Sequence, residues 1–179
     1  MLSSFTHKVV ASFLVGFLCF NTNAFALSKI ALTVRSIPIQ QKKADPKDKK
    51  KDPADTDERK LEATLKNTSS EAVTGLQVHY YFIGKSAGAN DLKVLDSDTK
   101  TQDVAPGTPV VIESKVATAT FTPAHRTLPK KGSKDKPENV HAAGDKFTGW
   151  AVQVISGADL VAEAYSSPAM KAVVPAPTP

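Results

Sequence analysis

The sequence predicts an all-β fold, an antiparallel β-sandwich of about seven strands with two long polar loop insertions. Short stretches in which apolar and polar residues alternate recur along the chain, and turn-forming residues separate them. No apolar pattern with a helical period continues beyond two turns. The one cysteine, Cys19, lies in an N-terminal apolar segment, so the predicted domain must be stabilised by packing without disulfides.

Residues 1–26 are expected to form a cleavable secretory signal peptide. An apolar run from Val9 to Phe20 is followed by three polar residues and the cleavage sequence Ala24-Phe25-Ala26. A membrane-spanning helix needs roughly 20 apolar residues, so cleavage is favoured over a retained anchor, and no transmembrane span is expected afterwards. The sequence therefore predicts an exported protein, located in the periplasm or at the cell surface.

Cleavage after Ala26 would leave 153 of the 179 residues, which suits one domain. We predict a sandwich domain over residues 27–174 and a Pro-rich tail over 175–179. Removal of Lys8 leaves 22 basic residues against 18 acidic ones, a net charge of +4. This excess is modest, and nucleic-acid binding is not expected.

The first predicted strand covers residues 29–39, where Ile30, Leu32 and Val34 share one face. Residues 40–60 are rich in lysine and aspartate and contain no large apolar side chain. Such a composition buries too little surface to offset the entropy of ordering, so we predict a mobile charged loop. Its aspartates nearly neutralise its lysines, which favours a solvated loop over a polyanion-binding arm.

The next two strands have the clearest alternation. Leu61, Ala63 and Leu65 share a face before the turn at residues 67–70, and the strand after the turn places its own core set on alternate positions. That core set is Leu76, Val78, Tyr80 and Phe82. Asn67-Thr68-Ser69 also fits a glycosylation sequon, which a bacterial chain is expected to leave unmodified.

Further strands complete the predicted sandwich. A short strand is expected at 92–95, a long β-prone segment at 109–122 with a bend near Glu113 to Lys115, and a hairpin at 147–155 and 159–165. Trp150 is interpreted as a core residue. Residues 123–146 form the second insertion, a basic loop, and residues 170–174 are expected to pair as a last strand.

Two passages resemble known exported proteins. Residues 61–70 followed by 76–82 are similar to the strand, turn and strand of immunoglobulin-like and fibronectin type III-like domains in exported bacterial proteins. Residues 149–154 with 160–168 are similar to the last hairpin of uncharacterised proteins of that kind. The resemblance implies an immunoglobulin-like β-sandwich, and it does not by itself imply a reaction.

Catalytic patterns in the sequence are incomplete. Gly84-Lys85-Ser86 lacks the earlier glycine of a phosphate-binding loop, because His79 stands at that position. Ser97-Asp98-Thr99-Lys100 matches S-x-x-K without the companion motifs of penicillin-binding enzymes. The three histidines downstream of the signal, His79, His125 and His141, are interpreted as ordinary surface residues rather than metal ligands. We therefore predict a non-enzymatic protein without a cofactor.

The predicted function is an exported binding or interaction module of the cell envelope, with an unknown protein or an anionic envelope polymer as partner. Basic side chains of the second insertion are the candidates for Coulomb attraction to a polyanion, and one tyrosine is a candidate stacking surface. These binding candidates are Arg126, Lys130, Lys131, Lys134, Lys136 and Tyr81. The alternatives are a structural envelope component, or a metal-binding protein or hydrolase whose site is built from loops.

Overall fold

The computed structural model describes residues 29–43, 54–127, 136 and 138–176. These residues form almost only antiparallel strands, which confirms the all-β prediction. The strands are β1 (Ile30–Lys42), β2 (Asp55–Asn67), β3 (Val73–Ser86), β4 (Lys93–Val104), β5 (Pro109–Glu113), β6 (Ala117–Thr122), β7 (His125–Arg126), β8 (Asn139–Val140), β9 (Ala143–Ser156) and β10 (Asp159–Tyr165). A 3₁₀ helix covers Pro168–Ala172. Within the described ranges, no helix is long and apolar enough to cross a bilayer.

Eight of the ten strands form two facing sheets, and β7 and β8 pair with each other in a separate two-stranded sheet. In the first sheet, β2 lies between β1 on one side and both β5 and β6 on the other. In the second sheet, the order is β4, β3, β9 and β10. β5 and β6 occupy one strand position that is interrupted at residues 114–116, close to the bend predicted near Glu113 to Lys115. The sandwich therefore has seven strand positions, as predicted.

The two sheets join at one end of the sandwich. The start of β9 pairs with β6, through Gly144 opposite Phe121, before the rest of β9 pairs with β3. Gly144 has a φ of 86°, and a Cβ at this position would lie 2.1 Å from the carbonyl oxygen of Thr120. Only a glycine allows the two backbones to approach this closely.

The core lies between the sheets. Leu61, Ala63 and Leu65 of the first sheet pack with alternate residues of β3, and all of these side chains are buried as predicted. The buried residues of β3 in this cluster are Leu76, Val78, Tyr80 and Phe82. The hydroxyl of Tyr80 donates a 3.1 Å hydrogen bond to the carbonyl of Ile112 in the opposite sheet. Trp150 is half-buried against this core, in agreement with its predicted role.

A second apolar cluster covers the outer face of the second sheet. Ile83, Ala151 and Met170 are its buried members. The predicted strand at 170–174 is wrong, because the chain there forms the 3₁₀ helix Pro168–Ala172 with Val173 as its C-cap. Pro168 cannot donate to a strand ladder, and Met170 packs over Gly149, where a Cβ would lie 2.7 Å from the methionine sulfur.

The two predicted polar insertions are shorter than the sequence indicated. β1 continues to Lys42 and β2 begins at Asp55, so the predicted loop 40–60 contains strand residues at both ends. Backbone ladder bonds hold these ends, and charged side chains are tolerated there because they remain at least partly exposed or form ion pairs. β7, β8 and the start of β9 likewise lie within the predicted loop 123–146. Residues 44–53, most of 128–137 and the predicted signal peptide lie outside the described residues.

The strand predicted at 92–95 is also longer in the structure. β4 covers Lys93–Val104 and pairs with β3 along most of that length. Its polar residues include Asp96 and Asp98, which bond to Lys115 at the interruption between β5 and β6. The apolar alternation fades beyond Leu95 because this strand lies at the edge of its sheet.

Candidate binding site

A cavity of about 240 Å³ lies at the end of the sandwich where the two sheets join. β1 contributes residues from its C-terminal end and β2 contributes residues from its N-terminal end. β6 contributes Ala119 and Phe121, and β9 contributes Asp145 and Lys146. The β6–β9 pairing at Gly144 brings these strands side by side. The cavity is therefore a consequence of the way the sheets meet.

Most of the residues that line the cavity are charged. The cations are Lys42, Lys43, Arg59 and Lys146, and the carboxylates are Asp55, Asp57 and Asp145; Gln41 and Thr56 are polar neighbours. Strand register explains this mixture, because Asp55 lies opposite Phe121 and Asp57 lies opposite Ala119. Charged residues of β2 thus lie opposite small or aromatic residues of β6.

Asp57 and Arg59 form a two-pronged ion pair. The Nε atom of Arg59 donates to Oδ1 of Asp57 at 2.9 Å, and Nη2 donates to Oδ2 at 2.6 Å. The guanidinium also lies 5.7 Å from the ring centroid of Phe147. Both the charge and the planar donor fork of Arg59 are therefore already engaged within the protein.

Asp145 is held by two neighbours outside its own strand. Ser86 Oγ donates a 2.7 Å hydrogen bond to Asp145 Oδ1, and Lys93 Nζ lies 2.9 Å from the same oxygen. The hydrogen bond from Ser86, together with Lys93, lowers the pKa of Asp145 below its ordinary value. Asp145 therefore stays ionised at neutral pH, with its charge balanced by Lys93.

Three lysines of the cavity have no such partner. Within the part of the chain that the structure describes, Lys42, Lys43 and Lys146 form no ion pair. Lys146 Nζ lies 6.0 Å from the ring centroid of Phe121, a distance at the limit of a cation–π contact. All three side chains are exposed, so their charges face the solvent at the cavity.

The structure does not bring the predicted binding residues together at this cavity. Tyr81 is half-buried on the outer face of the second sheet, where it stacks with His79 at a centroid distance of 6.4 Å. Burial raises the pKa of Tyr81. Arg126 and Lys136 are exposed and do not line the cavity, while the predicted Lys130, Lys131 and Lys134 lie outside the described residues.

The histidines are separately placed. His79 Nδ1 lies 3.3 Å from Thr99 Oγ1 and its Nε2 lies 3.3 Å from Gln77 Oε1, and burial lowers its pKa. His125 Nδ1 lies 3.1 Å from a backbone carbonyl. Among residues 29–43, 54–127, 136 and 138–176, no three His, Cys, Asp or Glu side chains cluster as metal ligands would.

Sequence reasoning missed the cavity lysines because it assigned Lys42, Lys43 and Lys146 to solvated loops. The available signal was their position at the boundaries of apolar alternation: Lys42 follows Ile39, and Lys146 precedes Phe147. A charged residue at a strand end is held by the ladder, whereas the same residue in a loop is not. The pairing of β6 with β9, which brings the two groups together, has no local sequence signature.

Comparisons with known proteins do not assign a family. No family model matches the chain, and no curated protein matches it. One similar solved structure is a Northeast Structural Genomics Consortium target, with 16% identity and a TM-score of 0.34, covering 69% of this chain and 87% of that chain. A crystal structure from Akkermansia muciniphila has 12% identity and a TM-score of 0.33, covering 83% of this chain and 78% of the other.

Proposed function

We propose that this protein is an exported, non-enzymatic binding module of the cell envelope, and that it holds its ligand in the cavity at the joined end of the sandwich. The observation that carries this proposal is the group of three lysines without ion-pair partners among the described residues, at a cavity of about 240 Å³. Lysines whose backbones lie in or next to strands, and which form no ion pair among the described residues, are available to an external ligand.

The proposal includes the export that residues 1–26 predict, to the periplasm or the cell surface. It also includes the finer relationship to immunoglobulin-like and fibronectin type III-like domains. In immunoglobulin constant-type domains, the fourth strand joins the sheet of the first, second and fifth strands. Here β4 pairs with β3 instead, which favours the fibronectin type III-like side of the resemblance.

The test is co-sedimentation of the purified protein with washed cell-envelope material. We expect the wild type to sediment with the envelope, and the double variant Lys42→Glu/Lys146→Glu to lose most of that binding, because the substitutions reverse two of the three unpaired charges. Lys66→Glu is the matched control, since Lys66 is exposed near the opposite end of β2 and forms no ion pair among the described residues.

Equal sedimentation of the wild type and both variants would show that the cavity is not the binding site. No sedimentation of the wild type would contradict the binding function itself. Circular dichroism and a urea melt of each variant verify that the fold is retained.

A further inference from the structure

The carboxylates of the cavity are already engaged, and this determines the charge that a ligand must carry. Asp57 is bonded to Arg59, Asp145 is bonded to Ser86 and Lys93, and Asp55 also has an interaction partner. Among the described residues, the charged side chains that line the cavity without an ion pair are therefore all positive. A ligand that brings negative charge gains Coulomb attraction there and displaces no internal ion pair.

The free cations favour a phosphate over a carboxylate, because a phosphate monoester carries about 1.5 to 2 negative charges whereas a carboxylate carries one. The planar fork of an arginine could bind two oxygens of either group at once. Arg59, the one arginine among the described residues of the cavity wall, already has this arrangement with Asp57. Lysines bind phosphate as point charges with rotatable donors, and a phosphate offers at least two charged oxygens for them to share.

The lysines also approach from two sides. Lys42 and Lys43 stand at the end of β1 in the first sheet, whereas Lys146 is on β9, which continues into the second sheet. An anion in the cavity is therefore attracted by lysines that line it from the β1 side and from the β9 side. Thr56 and Gln41 add a hydroxyl and an amide that hydrogen-bond to oxygen atoms.

The cavity volume favours a small ligand. Its 240 Å³ is below the roughly 300–1,000 Å³ of sites for drug-sized molecules. The cavity is partly open to solvent, so it can hold a phosphate group with a short polyol or part of a sugar ring while the rest of a longer polymer extends outside. Phe121 and Ala119 provide an apolar wall against which the carbon atoms of such a unit can pack.

We infer that the cavity binds the phosphate group of a phosphorylated polyol or sugar unit, either free or as part of an envelope polymer. This inference rests on the proposed function and names the ligand class for the same site. The exposed lysines make the interaction dependent on ionic strength, since unburied charges are screened within about 10 Å at 0.1 M salt.

The test is isothermal titration calorimetry of the full chain with four probes at low salt: glycerol phosphate, inorganic phosphate, glycerate and glycerol. Glycerate carries a carboxylate where glycerol phosphate carries a phosphate, and glycerol carries no charge. We expect saturable binding of both phosphate probes, binding of glycerate that is at least about fivefold weaker, and no detectable binding of glycerol.

Single variants locate the phosphate. Lys146→Gln and Lys42→Gln are each expected to weaken binding of glycerol phosphate about fivefold or more, because each removes one charged donor. Lys66→Gln is the matched control and is expected to bind as the wild type does. Vesicles of phosphatidylglycerol, compared with neutral phosphatidylcholine, test whether the bound phosphate is a lipid headgroup. Vesicle binding without binding of glycerol phosphate would overturn the assignment to a free or polymer-borne phosphorylated unit.

Equal binding of glycerate and glycerol phosphate would overturn the preference for phosphate. Failure of both glycerol phosphate and inorganic phosphate to bind would overturn it as well. If the envelope still captured the wild type and not Lys42→Glu/Lys146→Glu, the proposed binding function would stand while the ligand class failed. Failure of envelope capture would instead contradict the proposed function itself.

Discussion

At the scale of single residues, Asn67 has the most distinct structural role. Its side chain is fully buried and makes four hydrogen bonds. Nδ2 donates to the carbonyls of Glu71 and Val104, at 2.7 and 3.1 Å, and Oδ1 accepts from the amide and hydroxyl of Ser69. The nitrogen that N-glycosylation would modify is thus engaged inside the folded protein. The sequon reflects a turn that links β2, β3 and β4.

Replacement of Asn67 by alanine is expected to lower the free energy of unfolding by about 3 kcal/mol, since it leaves buried backbone groups without partners. Urea denaturation measures this loss. Thr68→Ala is the control, because Thr68 is exposed and makes one side-chain hydrogen bond, to the carbonyl of Lys29. We expect the control to lose less than about 1 kcal/mol. Similar losses for both variants would contradict the role assigned to Asn67.

At the scale of elements, the junction of β6 and β9 determines both the closure of the sandwich and the position of the cavity. The junction depends on Gly144, which combines a positive φ with a very short backbone approach. Gly157, in the β9–β10 turn, shares the positive φ, but a Cβ there would have no neighbouring atom within 4 Å. Comparison of the two glycines separates the effect of φ from the effect of close packing.

Gly144→Ala is expected to cost about 3 kcal/mol or more, because the new methyl group would collide with the Thr120 carbonyl in addition to the strain of a positive φ. Gly157→Ala is expected to cost about 1 kcal/mol from the φ strain alone. Urea denaturation of both variants measures the difference. If the two losses were equal, the close β6–β9 contact would not be a determinant of stability.

At the scale of the whole molecule, the sequence predicted what depends on local periodicity. The core residues Leu61, Leu65, Val78 and Phe82 were identified because the inner face of a strand repeats every second residue. A bend was predicted near Glu113 to Lys115, close to the interruption between β5 and β6. Alternation also predicted seven strand positions, although it did not specify which strands are neighbours.

Features that depend on distant pairing were not predicted. The cavity requires Lys42 and Lys146, more than a hundred residues apart, to meet at a junction that only the β6–β9 register creates. The charged ends of β1 and β2 resemble loops in sequence because they lack large apolar side chains. Their backbone hydrogen bonds nevertheless hold them in the sheet. Residues 170–174 resemble a strand in sequence, whereas the chain forms a 3₁₀ helix there because Met170 packs over Gly149, a contact between residues that are distant along the chain.

The central claim is that the lysines at the joined end of the sandwich form the ligand site. The most direct measurement is a two-dimensional amide NMR titration of the protein with glycerol phosphate. We predict that the largest shifts occur at Lys43, Thr56 and Lys146, with a common dissociation constant. Shifts centred instead on His79 and Tyr81, on the outer face of the second sheet, would contradict this claim.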